Sequence, residues 1–233
     1  MGSTRLPGKV LAPIVGRPML DLQLERLERV QTPAIIVVAT STLPADDVVV
    51  EVARARGTAT HRGSEDDVLA RFAGAAAAVD AAVIARTTAD CPLIDPGVVD
   101  RALEAVVAGT CAYASNTVDR TYPRGLDIEA FTRAALEVAD REATDPAERE
   151  HVTPFILRRP ELFRPCSVKA DADRSAERWT VDTAEDLELV RRIYEALYPA
   201  NPAFSTADVI ALLNDHPEWR AINAGVPQKP APG

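Results

Sequence analysis

The chain has 233 residues, of which 47% are hydrophobic and 26% charged, the composition of an ordinary water-soluble globular protein. This length suffices for one large domain with room for a small insertion. The formal net charge of −9 argues against nucleic acid as a partner, because binding to a phosphate backbone needs a basic face. A single nucleotide needs only a local cationic pocket, so it is not excluded.

Membrane and disulfide-based classes are not indicated either. No apolar run approaches the roughly 18 residues of a membrane span, and no signal peptide precedes the first polar stretch. The three cysteines, Cys91, Cys111 and Cys166, are odd in number and widely spread. This usage predicts a reducing cytoplasm, with neither a disulfide framework nor a zinc site.

The chain opens on a polar stretch that reads Met-Gly-Ser-Thr-Arg-Leu-Pro-Gly-Lys. Backbone N–H groups of a glycine-rich turn can point together at an anion, and Arg5 and Lys9 add the positive charge that a polyphosphate needs. Lysine stands at only three positions in the chain, so its presence at Lys9 is a non-default choice. The stretch does not fit the Walker pattern.

Short apolar runs then alternate with helical segments. Residues 34–39 form a continuous β-branched run typical of a buried strand, and shorter strands are predicted at 58–61, 82–85 and 111–115. Helices are predicted between them at 46–56, 64–79 and 95–108, the last with an Asp-Pro start. This alternation predicts an α/β fold of three layers, with a mostly parallel sheet covered by helices on both faces.

The second half of the chain breaks the alternation. Residues 113–131 hold polar turns, helices are predicted at 132–140 and 146–157, and strands at 163–169 and 178–181. Asp182 precedes an amphipathic helix that reaches about residue 197, and a shorter helix covers 206–214. We therefore expect one domain over residues 1–223 and a loose tail over 224–233.

Polar residues follow several of the predicted strands, where ligands collect in open parallel sheets. The residues at these strand ends are Thr40, Ser41, Arg62, Gly63, Ser64, Arg86, Thr88, Asp90 and Asp182. Simpler roles stand beside the ligand role: Thr40 and Ser41 as helix caps, Ser64 in a capping box, Asp90 in a turn and Asp182 as an N-cap. If Asp90 and Asp182 meet at one sheet edge, their hard oxygens suit Mg²⁺ held between protein and phosphates.

Two further polar stretches are candidates for a binding role. Residues 116–127 are dense in hydrogen-bond donors and include the cations Arg120 and Arg124. Residues 148–151 form a charge cluster that ends at His151, and a solvated helix face is the alternative interpretation. A lone histidine is usually structural, so the pattern by itself does not make His151 a base.

Taken together, the motifs resemble those of the cytidylyltransferases that make CMP-activated sugars, with the spore-coat polysaccharide branch the most similar. The resemblance covers about residues 2–197. The matching stretches, in order, are residues 2–11, 62–69, 86–95, 122–127, 148–154 and 180–187.

The resemblance implies a Rossmann-like nucleotide-diphospho-sugar transferase fold and the transfer of CMP from CTP to an acidic sugar, with release of pyrophosphate. It assigns Arg5 and Lys9 to catalysis and Asp90 and Asp182 to Mg²⁺. The nucleotide-binding residues that it implies are Gly2, Ser3, Thr4, Thr40, Ser41, Arg62, Gly63 and Ser64. The acceptor-binding residues that it implies are Arg86, Thr88, Asn116, Tyr122, Arg124, Glu150 and His151. It also implies a homodimer formed through an insertion near residues 113–170.

One departure from the family concerns the start of the sheet. In the family a hydrophobic strand precedes the glycine-rich loop, and the sequence predicts that this N-terminal strand is missing here. Two alternatives therefore stand beside the CMP-sugar hypothesis. One is a nucleotidyltransferase for another acceptor, such as a phosphonate or a cyclitol phosphate. The other is a truncated protein that binds nucleotide without catalysis.

Overall fold

The computed structural model describes residues 5–228. Gly2, Ser3 and Thr4, which were predicted to bind nucleotide, lie outside the described residues, as do residues 229–233 of the predicted tail. Within residues 5–228 the strands are β1 (Pro13–Ile14), β2 (Arg17–Pro18), β3 (Val37–Ser41), β4 (Ala59–Gly63), β5 (Val83–Arg86), β6 (Tyr113–Ser115), β7 (Glu129–Thr132) and β8 (Pro165–Ser167). The helices are α1 (Met19–Leu27), α2 (Asp47–Ala55), α3 (Val68–Ala78), α4 (Pro96–Val107), α5 (Arg133–Glu142), α6 (Pro146–His151), α7 (Pro154–Leu157), α8 (Ala184–Leu197) and α9 (Thr206–Asp215).

Within residues 5–228 the strands form three sheets, and β1 and β2 make up a short antiparallel pair. β3 and β4 pair in parallel, with Val37 opposite Ala59 and Ser41 opposite Gly63. The largest sheet has the order β5-β7-β6-β8; β7 is antiparallel to both of its neighbours, and β6 and β8 are parallel. β3 begins later than the predicted run and extends two residues beyond it, because Thr40 and Ser41 continue the ladder with β4.

Helices cover these sheets and enclose apolar clusters. The largest cluster joins α4, α8 and α9 to the segment around residues 122–130, and a second one joins α3, α5 and α7 to β6 and β7. The predicted start of α4 is confirmed: Asp95 is the N-cap, its carboxylate accepts from Gly97 N at 2.8 Å, and Pro96 occupies the first turn. Among residues 5–228, no helix combines the length and the apolar character that crossing a bilayer requires.

The extended segment 178–181 differs from the prediction. It forms an isolated parallel bridge between Arg178 and Arg124 rather than a strand of a sheet. Trp179 N donates to Arg124 O at 2.7 Å, and a Cβ on Gly125 would lie 2.4 Å from Thr180 N. Because Gly125 has φ +104°, a conformation that side chains disfavour, glycine is required for this close approach of two backbones.

The helix after Asp182 also begins differently from the prediction. Thr183, not Asp182, is the N-cap of α8, and it forms a capping box with Asp186. The side chain of Asp182 is therefore not used as the cap of this helix. It points instead toward the cations described below.

Candidate active site

Lys9 bridges the two carboxylates that the sequence predicted to lie close together. Its Nζ donates to Asp90 Oδ2 at 2.9 Å, to Asp182 Oδ1 at 2.8 Å and to Val181 O at 2.8 Å. The Lys9 side chain is 12% exposed, so these contacts are largely shielded from water. The arrangement brings together three predicted residues from positions far apart in the chain.

The backbone holds these three side chains in place. Lys9 begins a 3₁₀ turn that follows Gly8 in a left-handed conformation, with φ 69°. Asp90 follows β5, and its carbonyl accepts from Val181 N at 2.9 Å and from Thr180 Oγ1 at 3.2 Å. The segment that carries Asp182 is thus tied directly to the loop that carries Asp90.

Two arginines add positive charge at Asp182. Arg5 Nη2 lies 2.9 Å and Arg178 Nη2 lies 2.8 Å from Asp182 Oδ2. Arg5 was predicted to take part in the site, whereas Arg178 was not. Arg178 lies four residues before Asp182. In an extended segment this separation gives no reason to expect contact between the two side chains, so the sequence did not indicate Arg178.

The charges at this cluster shift the acidities of its members. Burial alone would lower the pKa of Lys9, but the charges and hydrogen bonds of Asp90 and Asp182 outweigh it and hold that pKa above its usual value. Burial alone would raise the pKa of Asp182, but hydrogen bonds from Lys9 and Arg178 and the charge of Arg5 hold that pKa below its usual value. Both groups are therefore charged at neutral pH.

A divalent cation fits these residues only with help from a ligand. Asp90 and Asp182 each place a carboxylate oxygen within 2.9 Å of Lys9 Nζ. The two oxygens are therefore close enough to contact a single small cation. Within residues 5–228 there is no group of three or more acidic, histidine or cysteine side chains that could hold a metal ion by itself. Such a pair suits Mg²⁺, which is commonly held by one or two carboxylates together with phosphate oxygens.

Thr40, Ser41 and Arg62 are engaged in shaping the loop after β3. The hydroxyls of Thr40 and Ser41 donate to Asp46 Oδ2 at 2.8 and 2.6 Å, and both residues are buried. Arg62 donates to the carbonyls of Ser41 and Leu43 at 2.8 and 2.9 Å and pairs with the carboxylate of Asp47. Their predicted contact with nucleotide stays a prediction.

Gly63 and Ser64 lie at the junction between β4 and α3. A Cβ on Gly63 would lie 3.1 Å from Cγ of Arg71, so this position favours the smallest residue. Ser64 Oγ accepts from Asp67 N at 3.1 Å, and Asp67 is itself the N-cap of α3. Ser64 therefore supports the turn before the helix, and its predicted ligand role stays a prediction.

Arg86 and Thr88 follow β5 and lead toward Asp90. Thr88 Oγ1 donates to Asp90 Oδ1 at 2.5 Å and so orients the carboxylate that faces Lys9. Arg86 donates to the buried carboxylate of Glu129, which also accepts from Tyr113 Oη at 2.7 Å. Thr88 thus belongs with Lys9, Asp90 and Asp182, the group that we call the Lys9 cluster, whereas Arg86 contacts β7.

Asn116 and Tyr122 are both buried. Asn116 is 0% exposed, donates to Leu126 O at 2.6 Å and accepts from Ile128 N at 3.0 Å. Tyr122 is 4% exposed, and its hydroxyl accepts a hydrogen bond from the guanidinium of Arg101. Both side chains hold the segment 116–128 in shape, and their predicted acceptor contacts stay predictions.

Of the two arginines in residues 116–127, Arg124 is the one whose guanidinium is available to a ligand. Within residues 5–228 its guanidinium has neither a hydrogen bond nor an ion pair, although its backbone is fixed against Glu177 and Trp179. Burial and the nearby charge of Arg120 lower the pKa of Arg124. The side chain lines a cavity of about 380 Å³ that Arg178 and Arg220 also line. An anion there could pair with a guanidinium that has no ion pair within residues 5–228.

Glu150 and His151 end α6 next to a strained turn. Val152, which follows them, has φ 71° and ψ −56°, and Thr153 N donates to His151 O at 2.9 Å. This γ-turn is rare and strained for a β-branched residue. Thr153 Oγ1 donates to Glu129 Oε1 at 2.5 Å, which ties the turn to the network that contains Arg86. The fold therefore imposes the position of His151, while its contact with a ligand stays a prediction.

Comparison with known proteins gives a consistent picture. A family model described as cytidylyltransferase matches residues 1–204. The chain is 32% identical over 229 residues to the spore coat polysaccharide biosynthesis protein SpsF of Bacillus subtilis (strain 168), which covers 94% of this chain and 92% of SpsF. It is 38% identical over 112 residues to the 3-deoxy-manno-octulosonate cytidylyltransferase of Geobacter metallireducens, which covers 46% of this chain and 41% of that protein.

Solved structures agree with the sequence relatives. A cytidylyltransferase from Leptospira borgpetersenii serovar Hardjo-bovis superposes with a TM-score of 0.89 at 34% identity, covering 94% of this chain and 92% of that one. The CMP:2-keto-3-deoxy-manno-octonic acid synthetase complexed with CTP has a TM-score of 0.63 at 23% identity, covering 84% of this chain and 95% of that one. The predicted nucleotide-diphospho-sugar transferase fold is therefore confirmed.

Proposed function

We propose that this chain, which belongs to the cytidylyltransferase family, transfers CMP from CTP to an acidic sugar and releases pyrophosphate. The protein is a CTP-dependent nucleotidyltransferase, and the proposal concerns its acceptor, its metal and its site residues. The observation that carries it is the bridge from Lys9 to Asp90 and Asp182, flanked by Arg5 and Arg178. Such a cluster combines cations for phosphate oxygens with carboxylates for a divalent ion.

On the nucleotide side, Arg5 and Lys9 supply the charge that a triphosphate needs. Transfer of a nucleotidyl group depends mainly on positioning and on neutralising charge on the leaving pyrophosphate. Lys9 has a raised pKa and keeps its proton at neutral pH, so it serves as a charge rather than as a base. Thr40, Ser41, Arg62, Gly63 and Ser64 lie at the adjoining strand ends and are proposed to shape the wall next to the base and ribose.

For the metal we propose Mg²⁺ at Asp90 and Asp182. Bound between these carboxylates and the phosphates, the ion would neutralise charge on the phosphoryl groups. Thr88 orients Asp90 through its hydrogen bond, and Arg178 orients Asp182. A neighbouring side chain thus fixes the position of each carboxylate.

On the acceptor side, Arg124 is the residue we propose to bind the carboxylate of the sugar. Its guanidinium is half-buried and has no ion pair within residues 5–228, and Arg178 and Arg220 line the same cavity. The other proposed acceptor residues are Arg86, Thr88, Asn116, Tyr122, Glu150 and His151. A phosphonate or cyclitol phosphate presents an anion to the same arginine, which makes these acceptors the alternative.

We also propose that the protein is a homodimer that works in the cytoplasm. Leu157 and Leu162, in the segment proposed for dimerisation, are 37% and 61% exposed. An interface between two copies of the chain would cover such exposed apolar side chains. All three cysteines are free, as expected in a reducing compartment. Sedimentation of the wild type against Leu162→Glu measures the dimer directly.

Pyrophosphate release tests the proposal as a whole. The protein is incubated with CTP and Mg²⁺ and a panel of sugar acids, phosphonates and cyclitol phosphates. We expect release only with sugar acids, its loss on chelation of the metal, and its return when Mg²⁺ is added back. Release with phosphorylated cyclitols alone would reassign the acceptor, and CTP binding by calorimetry without any turnover would instead support a non-catalytic nucleotide-binding protein.

A further inference from the structure

Gln23 of α1 is a polar residue in an apolar setting. It is 2% exposed, and its helix neighbours Leu22 and Leu24 are buried as well. Its amide Nε2 donates to Thr88 O at 2.8 Å, whereas its Oε1 is buried and has no hydrogen-bond partner within residues 5–228. One half of the amide is therefore engaged and the other half is not.

Packing alone does not favour glutamine at this position. A buried acceptor that has lost its water and gained no partner is unfavourable for folding. Methionine has nearly the same length and would fill the same space without an unpaired oxygen. Residues that conflict with their surroundings in this way are expected at functional sites, where they serve the site rather than the stability of the fold. What glutamine adds here, and methionine lacks, is the donor to Thr88 O.

The carbonyl of Thr88 closes the turn that carries Asp90. Cys91 N donates to the same carbonyl at 3.3 Å, so Asp90 is the third of the four residues in a turn from Thr88 to Cys91. The bond from Gln23, at 2.8 Å, is the shorter of the two. Thr88 also donates through its hydroxyl to Asp90 Oδ1 at 2.5 Å. By fixing Thr88, Gln23 therefore helps to orient the Asp90 carboxylate.

The same helix also supports the loop that carries Lys9. Ala89, the second residue of the turn, packs against two leucines of α1, and so does Val10, which follows Lys9. Helix α1 therefore contacts both of the segments that meet at the Lys9 cluster. Gln23 adds a directional hydrogen bond to the apolar contact on the side of Asp90.

We propose that Gln23 is a positioning residue for nucleotidyl transfer, and that it holds the turn 88–91 so that the Asp90 carboxylate faces the divalent cation and the phosphates. Because Gln23 is buried, it acts through Thr88 rather than by touching the ligands. Groups that orient a metal ligand commonly change metal affinity or activity by about 10- to 100-fold. The inference rests on the proposed function, since it takes Asp90 as a metal ligand.

Gln23→Met tests this role, because it removes the donor and the unpaired oxygen together. Thr88 O keeps its bond from Cys91 N, so we expect a Tm equal to or above that of the wild type. Without the donor from α1 the turn is held less firmly. The kcat for pyrophosphate release should therefore fall about tenfold, and the apparent KM for Mg²⁺ should rise about tenfold. Amide exchange at residues 89–91 should become faster.

Metal binding supplies a readout that needs no turnover. Mn²⁺ is titrated into the protein in the presence of CTP, and the free ion is measured by electron paramagnetic resonance. Its affinity should fall about tenfold in Gln23→Met. Gln31→Met is the matched control, because Gln31 Nε2 also donates to a backbone carbonyl, Arg29 O at 2.8 Å, but at an exposed position. The control should match the wild type in Mn²⁺ affinity, kcat and Tm.

A second substitution in the turn shows whether Gln23 acts through it. Thr88→Val removes the hydroxyl that orients Asp90. Because both substitutions release the same carboxylate, Gln23→Met should weaken Mn²⁺ binding less in the Thr88→Val protein than in the wild type. Additive losses would place the action of Gln23 elsewhere and overturn the proposal.

The remaining outcomes separate this proposal from the proposed function. An active wild type together with unchanged kcat, Mn²⁺ affinity and amide exchange in Gln23→Met would refute the positioning role and leave the proposed function standing. A lower Tm with unchanged kinetics would assign Gln23 to the fold alone. Gln23→Leu is the second variant if Gln23→Met does not fold, and loss of folding in both would give the same assignment. Absence of both pyrophosphate release and Mn²⁺ binding in the wild type would contradict the proposed function and this inference together.

Discussion

Arg178 forms two hydrogen bonds with the fully buried carboxylate of Asp186. Its Nε donates to Oδ1 at 2.8 Å and its Nη2 to Oδ2 at 2.9 Å. The same Nη2 reaches Asp182 at 2.8 Å. Asp186 therefore fixes the guanidinium that stands beside the proposed metal ligand. A buried carboxylate of α8 thus determines the geometry of a residue at the edge of the site.

Replacement of Asp186 by asparagine should be strongly destabilising. Asp186→Asn leaves the charge of Arg178 buried and only partly paired, and removing one partner of a buried ion pair costs about 3–5 kcal/mol of unfolding free energy. Asp208 is the matched control, because it occupies the same capping-box position in α9 but is exposed. Asp208→Asn should cost about 1 kcal/mol. Urea denaturation measures both values, and equal losses would contradict the role assigned to Asp186.

Replacement of Lys9 by methionine should reduce turnover, and it should also lower the unfolding free energy because it leaves two shielded carboxylates without this partner. Methionine keeps the length of the side chain and removes the charge that is proposed to stabilise the leaving pyrophosphate. Loss of one such donor typically lowers kcat by about 10²-fold or more. Lys169→Met is the control, since Lys169 is an exposed lysine that pairs with Asp119 at 2.9 Å. Pyrophosphate release measures the effect, and comparable rates in the two variants would rule out a catalytic charge at Lys9.

The contribution of Asp182 to stability should disappear in acid. The folded protein holds the pKa of Asp182 below its usual value, so the stabilisation is fully present above the ordinary aspartate pKa of about 3.9 and is lost as pH falls through the lower, folded value. Asp182→Asn should therefore lower the unfolding free energy at pH 7 and make progressively less difference below about pH 4. Denaturation at several pH values checks this. A difference that grows toward acid pH would show that the sign is wrong.

The close approach of Gly125 to Thr180 should make alanine intolerable at this position. A Cβ on residue 125 would lie 2.4 Å from a backbone nitrogen, and φ is +104°. Gly109→Ala provides the matched control, because Gly109 also has positive φ, +71°, but nothing lies within 4 Å of a Cβ there. We expect about 1 kcal/mol for the control, which is the strain alone. Gly125→Ala should cost clearly more, and similar Tm values for the two variants would contradict the packing.

Replacement of Arg124 by glutamine should weaken acceptor binding selectively. The guanidinium makes no hydrogen bond and no ion pair with residues 5–228. Its removal should therefore leave the Tm nearly unchanged. KM for the acceptor should rise markedly while KM for CTP stays close to the wild-type value. A parallel rise in both constants would place Arg124 on the nucleotide side instead.

Much of the fold could be predicted from local chemistry. The β-branched run near residue 37, the Asp-Pro start at Asp95 and the amphipathic pattern of α8 each specify an element with few alternatives. Element ends were less predictable, because pairing with β4 rather than hydrophobicity decides where β3 ends. The cap at Thr183 instead of Asp182 has a similar cause, since the Lys9 cluster takes the aspartate.

The site was predictable where residues stand at strand ends. The resemblance implied that Asp90 and Asp182 bind one metal ion, and both contact Lys9, although the segment before Asp182 forms an isolated bridge rather than a strand of a sheet. The contact of Arg62 with a ligand stays a prediction. Its guanidinium donates to the carbonyls of Ser41, which ends β3, and of Leu43 in the following loop, and no local pattern signals these long-range contacts. Arg178 was missed for a related reason: its partner Asp186 belongs to the following helix.

All three protons of the Lys9 ammonium are already committed, to Asp90, Asp182 and the carbonyl of Val181. This donor is saturated. A phosphate group that binds to it must take over at least one of these bonds, so recognition at Lys9 is an exchange of partners rather than the addition of a new contact. The net gain from that single exchange is small, and selectivity for a triphosphate must come from several such exchanges made at once. The same exchange frees a carboxylate oxygen at the moment when the phosphates arrive.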